Sequence, residues 1–140
     1  MKTCTSIVLI GLFFMLPATS FSQNYSGQWL GTVTESINRC ERLGKAEPGD
    51  YKLTIVHQDS DIMIMENVVQ RPYTGVISPQ RPRNVFVNGT YIDDGGYVTE
   101  LVDIVFESDS KGQGQSVWRW SDGYYQCGGR FHFDLKKIRP

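Results

Sequence analysis

The chain has 140 residues, 14 basic against 15 acidic, for a formal net charge of −1 at pH 7. That length suits one domain, and no Ser-, Pro- or Gly-rich linker or internal repeat divides it. A charge so near zero excludes a general nucleic-acid binder, which needs a basic stripe to displace counterions; the only basic cluster, Lys136, Lys137 and Arg139, reads as a solvated strand end.

The first element is an export leader. Lys2 supplies a positive start, Ile7 to Leu16 is apolar, and Pro17 ends the run before small residues. This is the layout of a cleavable signal peptide. An apolar run of about ten residues is too short for a bilayer, which needs about 20. Cleavage after Ser20 or Ser22 fits the small residues, and Ser22 is preferred, giving a leader of 1–22 and a mature domain of 23–140. The mature protein is then secreted or periplasmic, with no membrane anchor after cleavage. Cys4 precedes the apolar run, so it is not the lipid-bearing cysteine of a lipoprotein.

Beyond the leader, period-two alternation dominates and helical periodicity is nearly absent. Strand one is expected from about Ser26 to Glu35, with Trp29 and Val33 on one face. A long polar loop, Ser36 to Asp50, follows. Strand two is Tyr51 to Gln58, with Leu53, Ile55 and His57 on one side, and Asp59-Ser60-Asp61 turns the chain. Strand three is Ile62 to Val69 and strand four lies near Tyr73 to Ile77. Pro79 and Pro82 precede strand five, Asn84 to Ile92, within which Asn88-Gly89 reads either as a hairpin turn or as a bulge. Asp93-Asp94-Gly95-Gly96 is a strong turn signal. Strand six is Tyr97 to Glu107, and Ser108 to Gly112 turns into strand seven, Gln113 to Trp120. Ser121-Asp122-Gly123 makes a hairpin into strand eight, Tyr124 to Leu135. Eight strands with mostly short connections predict an all-β, antiparallel up-and-down barrel. A hairpin at Asn88-Gly89 would raise the strand count and favour a sandwich.

Two cysteines remain after cleavage, Cys40 and Cys127, and in an oxidising compartment they pair. Closing so long a loop stabilises by about 4–5 kcal/mol on chain-entropy grounds, less any strain. In a closed eight-stranded meander the first and last strands are antiparallel neighbours. Setting Trp29 beside Leu135 puts Ile37 beside Cys127 and leaves Cys40 three residues further on, within reach of a bridge. A sandwich could also bring the two together without requiring it. With no CxxC and no Cys/His cluster, neither a redox motif nor a metal site is supported.

Gly27-Gln28-Trp29, followed by Gly31, resembles the GxW signature of the lipocalin and avidin-like (calycin) barrels, and the long first loop is similar to the lipocalin lid. The chain departs from lipocalins proper in being shorter and in lacking a Thr-Asp-Tyr motif in its middle. The resemblance implies a barrel closed at the tryptophan end, with Lys137 or Arg139 as a structural cation over Trp29. It also implies a small, mostly apolar ligand held inside toward the opposite end. That open end would be formed by the Ser36 to Asp50 loop and the Trp120 to Tyr125 region.

The candidate ligand-binding set is Trp29, Val33, Ile55, His57, Phe106, Trp118, Trp120 and Tyr125. Trp118 and Trp120 share a strand face, and two indoles can line a pocket; equally, they can simply be core, because a small barrel can be filled by its own side chains. His57 reads as a ligand donor or as a satisfied structural histidine, while His132 alternates with Arg130 and Asp134 on an outward face. No nucleophile elbow, HExxH or P-loop occurs, and no catalytic residue or cofactor is assigned. Asp103 and Glu107 share a face expected to point outward. Asn24-Tyr25-Ser26 and Asn88-Gly89-Thr90 match the glycosylation sequon. The leading expectation is a secreted or periplasmic lipocalin-like binder of a small hydrophobic molecule. The alternative is a solid barrel or sandwich that binds a protein partner, with outward Met63, Met65, Tyr73 or Tyr124 as its signature.

Overall fold

A computed structural model describes residues 23–40 and 49–139. The leader, 1–22, and most of the long polar loop, 41–48, lie outside the described residues. Eight strands follow one another: β1 (Gly27–Asn38), β2 (Asp50–Gln58), β3 (Asp61–Glu66), β4 (Arg71–Ile77), β5 (Asn84–Asp93), β6 (Gly96–Ser108), β7 (Lys111–Ser121) and β8 (Gln126–Arg139). Each pairs antiparallel with the next, and β8 returns to β1, so the sheet is a closed up-and-down barrel. Closure leaves no free sheet edge. The fold is consistent with a calycin-like barrel, and the sandwich is excluded.

The alternation read from the sequence is the alternation of burial. Along β6, Val98, Glu100, Val102, Ile104 and Phe106 face inward while Thr99, Leu101, Asp103, Val105 and Glu107 face out. Asp103 and Glu107 are therefore solvated. The main core fills the lower barrel, from Trp29 and Ile55 through Ile62, Ile77 and Val85 to Ile104, Phe106 and Leu135.

Four expectations need correction. First, Asn88-Gly89 is neither a hairpin nor a bulge: β5 runs unbroken, with Asn88 opposite Leu101 and Gly89 opposite Glu100. A Cβ at Gly89 would come within 2.8 Å of the Tyr73 ring and of the Pro72 carbonyl oxygen, so glycine serves a close approach across the sheet.

Second, β3 stops at Glu66. The Glu66 carboxylate accepts the backbone N–H groups of Val68 (2.9 Å) and Val69 (2.8 Å) and so folds the turn. Both valines are exposed, although their apolar character had suggested strand.

Third, β8 begins at Gln126, because the Asp122 carboxylate takes the N–H groups of Tyr124 and Tyr125 in the preceding turn. Fourth, the seam has a different register. Trp29 lies opposite Lys137 and Gly31 opposite Leu135, and a shift between Val33 and Glu35 then places Ile37 opposite Arg130. The ladder continues with the Arg39 N–H donating to the Gly128 carbonyl at 3.0 Å. Cys40 therefore stands directly across from Cys127, with Cα atoms 5.2 Å apart, and the disulfide joins residues 87 positions apart.

The closed end is a stack of aromatic rings. Tyr25 lies flat on Phe106 with centroids 3.8 Å apart, and Trp29 meets Phe106 edge-on at 5.2 Å. The Trp29 indole N–H donates to the Tyr25 carbonyl at 2.9 Å, and Lys137 Nζ lies 5.6 Å from the Trp29 ring centroid. Lys137 is thus the cation over the tryptophan. Arg139 sits opposite Gln28 at the exposed end of β8.

Candidate functional site

At the other end the barrel is hollow. A cavity of about 270 Å³ opens toward the connections that follow β1, β3, β5 and β7. Val33, Val87, Val102, Ile104 and Phe133 line its deeper part; Tyr51, Tyr73, Tyr91, Trp118 and Phe131 ring it above. The cup exists because inward residues of the upper barrel are aromatic rings set against glycines rather than interdigitated aliphatics. Gly89 faces Tyr73 in this way. Gly129, the cross-strand partner of Trp118, has no room for a Cβ, which would fall 2.7 Å from the indole. The rings lie back against the wall and leave the axis open.

Three hydroxyls meet at a carboxylate inside this cup. Glu100 is only 3% exposed. Its Oε2 accepts from the Tyr73 hydroxyl at 2.8 Å and from the Tyr91 hydroxyl at 2.9 Å, while its Oε1 accepts from the Ser116 hydroxyl. β4, β5, β6 and β7 each contribute one of these groups. Burial, then the neighbouring Glu100 charge, push the Tyr73 and Tyr91 hydroxyls well above the ordinary tyrosine range, so both remain donors.

Toward the mouth, the Arg71 guanidinium lies 4.2 Å from the Tyr91 ring centroid and pairs with Asp93 at 3.1 Å. Both partners are partly solvated, so the pair does more to fix the Arg71 side chain than to stabilise the fold. Glu66 also lines the cup, its oxygens occupied by the β3–β4 turn.

The residues picked from the sequence divide between the two ends. Val33 and Trp118 line the cavity. Trp120 points inward beside Trp118 as expected, but is 1% exposed and packs under the rim with Cys40 and Val98, its ring N–H donating to the Asp93 carbonyl at 2.7 Å. Tyr125 lies on the rim with its ring centroid 6.3 Å from that of Trp120. Trp29, Ile55 and Phe106 belong to the packed lower core. His57 is down there too, its Nδ1 accepting from the Tyr25 N–H at 3.4 Å and its Nε2 2.9 Å from the Asp59 carbonyl oxygen. The structure does not bring these four to the cavity.

The missed polar residues were Glu66, Arg71, Tyr73, Tyr91, Glu100 and Ser116. One signal was readable: Glu100 sits in phase with Val98, Val102 and Ile104, so the alternation alone places a carboxylate inside. No protein-family model, curated protein or solved structure matches the chain.

Proposed function

We propose that this protein is an exported, lipocalin-like binding protein that holds a small, mainly apolar molecule in the upper barrel. The observation that carries the reading is the preformed cup, walled by aromatic and aliphatic side chains with a few convergent polar groups. That is the usual make-up of a small-molecule site. Its volume of about 270 Å³ lies at the small end of the common range of about 300–1,000 Å³, so the ligand is compact rather than a long-chain lipid. The GxW segment beneath Lys137 and the disulfide at the opposite rim support the lipocalin-like likeness. The disulfide is also consistent with a periplasmic or extracellular location.

Native mass spectrometry of protein isolated from its natural compartment tests the binding. A retained small molecule, or quenching of Trp118 fluorescence by an apolar dye that brightens on binding, is expected. A protein that carries nothing and takes up no dye would overturn the reading. Export is checked separately: the N-terminus of the mature protein is expected at Gln23.

A second reading rests on the outer wall. Val56, Met63, Val76 and Phe86 are exposed on four consecutive strands. An apolar stripe of this kind suits a protein partner. Tyr124 is fully exposed, whereas Tyr73 is buried in the cup, so only part of the expected signature faces outward. Replacing Met63 and Phe86 with serine would abolish capture of such a partner and leave dye uptake intact; capture that survives the change would remove this reading.

A further inference from the structure

Among the described residues, the charges that line the cup are three carboxylates, Glu66, Asp93 and Glu100, against one guanidinium, Arg71. They are not equally available. Arg71 is held by Asp93 at 3.1 Å, and Glu66 is held by its own turn. Glu100 is different. It is buried, it faces the cavity, and among the described residues no cation forms an ion pair with it. Its three partners are neutral hydroxyls, all donating. Three donors leave about one of its roughly four acceptor directions unfilled. Hydroxyl dipoles solvate a buried carboxylate but do not neutralise it, and a buried charge without a counterion is costly.

The surrounding walls favour the same sign of ligand. Tyr51, Tyr73, Tyr91, Trp118 and Phe131 present aromatic rings to the cavity, and a ring face attracts a cation within about 6 Å. The protein already uses that contact at the mouth, where Arg71 stacks on Tyr91. A ligand ending in a carboxylate would meet Glu100 with no free cation among the described residues to receive it, and a neutral ligand would seal the charge in. An ammonium group supplies both the missing donor and the missing charge.

We infer that the cup takes a small organic cation, a primary or secondary ammonium on a compact apolar or aromatic body, with the nitrogen directed at Glu100. This rests on the reading of the cup as a ligand site and names the class of ligand. In the bound state the ammonium donates to the open direction of the Glu100 carboxylate, flanked by the Tyr73 and Tyr91 hydroxyls, while the apolar body lies against Trp118 and Phe131.

The test is a matched series titrated into the full exported protein by calorimetry and by Trp fluorescence: 2-phenylethylamine, 2-phenylethanol and phenylacetate, with an apolar dye alongside. The amine is expected to bind about tenfold or more tighter than the alcohol, the scale of a charge-assisted hydrogen bond, and the acid weakest. Glu100→Gln is expected to erase the preference for the amine while dye uptake persists. Phe86→Ser, on the outer wall and away from the cup, is expected to retain it. An alcohol or acid that binds as well as the amine overturns the inference and leaves the cup a ligand site. Dye uptake with none of the three binding does the same. Failure of dye and series together removes the ligand-site reading as well. The comparison of the three probes in the unaltered protein stands even if Glu100→Gln does not fold.

Discussion

The two ends of the barrel solve the problem of holding eight strands together by different means. At the lower end, Tyr25, Trp29 and Phe106 fill the axis, and dispersion and burial do the work. At the upper end the axis is open, the inward rings lie against glycines, and the contacts a packed core would make across the centre are missing. It is there that the Cys40–Cys127 disulfide closes the seam between β1 and β8. A cavity gives up packing energy, and a covalent bond at its rim offsets the loss by restricting the unfolded chain. The same asymmetry governs polar groups: the lower end satisfies its own through scattered backbone and side-chain partners, whereas the upper end gathers three hydroxyls on one carboxylate that faces the cavity.

The largest test of this contrast is the Cys40→Ser/Cys127→Ser double variant. Loss of the bridge is expected to cost about 4–5 kcal/mol in denaturant unfolding, on loop-closure grounds. If the cost is near zero, the upper seam is held by something other than the disulfide. Trp29→Ala, which removes the ring that meets Phe106 edge-on, is expected to cost about 3–5 kcal/mol. In the fraction that stays folded, dye uptake should be unchanged, and loss of uptake would show that the ends are coupled. Gly89→Ala drives a Cβ toward the Tyr73 ring and the Pro72 carbonyl. It is expected to cost about 1–3 kcal/mol as overpacking and to displace the Tyr73 hydroxyl from Glu100, read as altered probe affinity.

Alkaline titration separates the ends without mutation. Tyr73 holds its proton in the folded state to higher pH than in the unfolded chain, so above about pH 10 the unfolded state binds fewer protons and stability falls as pH rises, by up to about 1.4 kcal/mol per pH unit for this group. Tyr91 acts in the same direction. Tyr73→Phe should flatten that slope, and an unchanged slope would mean that the hydroxyl is not buried as described. Smallest of all, Tyr124→Ala on the β7–β8 turn, where the residue is fully exposed, should shift stability by under about 0.5 kcal/mol.

Much of the scaffold was legible because alternation reports which face is buried, and the eight strands and their order follow from it; the cysteine pairing follows from there being only two beyond the leader. Strand ends were less so. Val68 and Val69 look like strand residues until the Glu66 side chain is seen to cap a turn, a contact that period-two reasoning does not contain. The seam register was missed because Trp29 was set beside Leu135, two residues short of its partner Lys137, and the irregularity between Val33 and Glu35, which shifts the pairing again, leaves no compositional mark. For the candidate site, the pair of indoles pointed to the upper rim, and Trp118 lines the cup there. Trp29, Ile55, His57 and Phe106 were grouped with it because alternation tells inside from outside but not top from bottom. Arg71 escaped notice because β4 is short and Pro72 obscured its start, and Tyr73 was weighed only as an outward residue for a partner surface.

The placement of the sulfur bridge has a mechanical consequence. The first residues of β1 and the last of β8 lie side by side at the lower end, and the bridge lies at the far end of the same seam. A pulling force applied through the two ends of the barrel domain would therefore strip β1 and β8 from each other and from their other neighbours, β2 and β7, one ladder rung after another, and then halt at the cystine. The six intervening strands would carry no tension until the bond was reduced. The barrel is a purse with a riveted clasp, extensible by only its first and last strands while oxidised and by its whole length once the thiols are free.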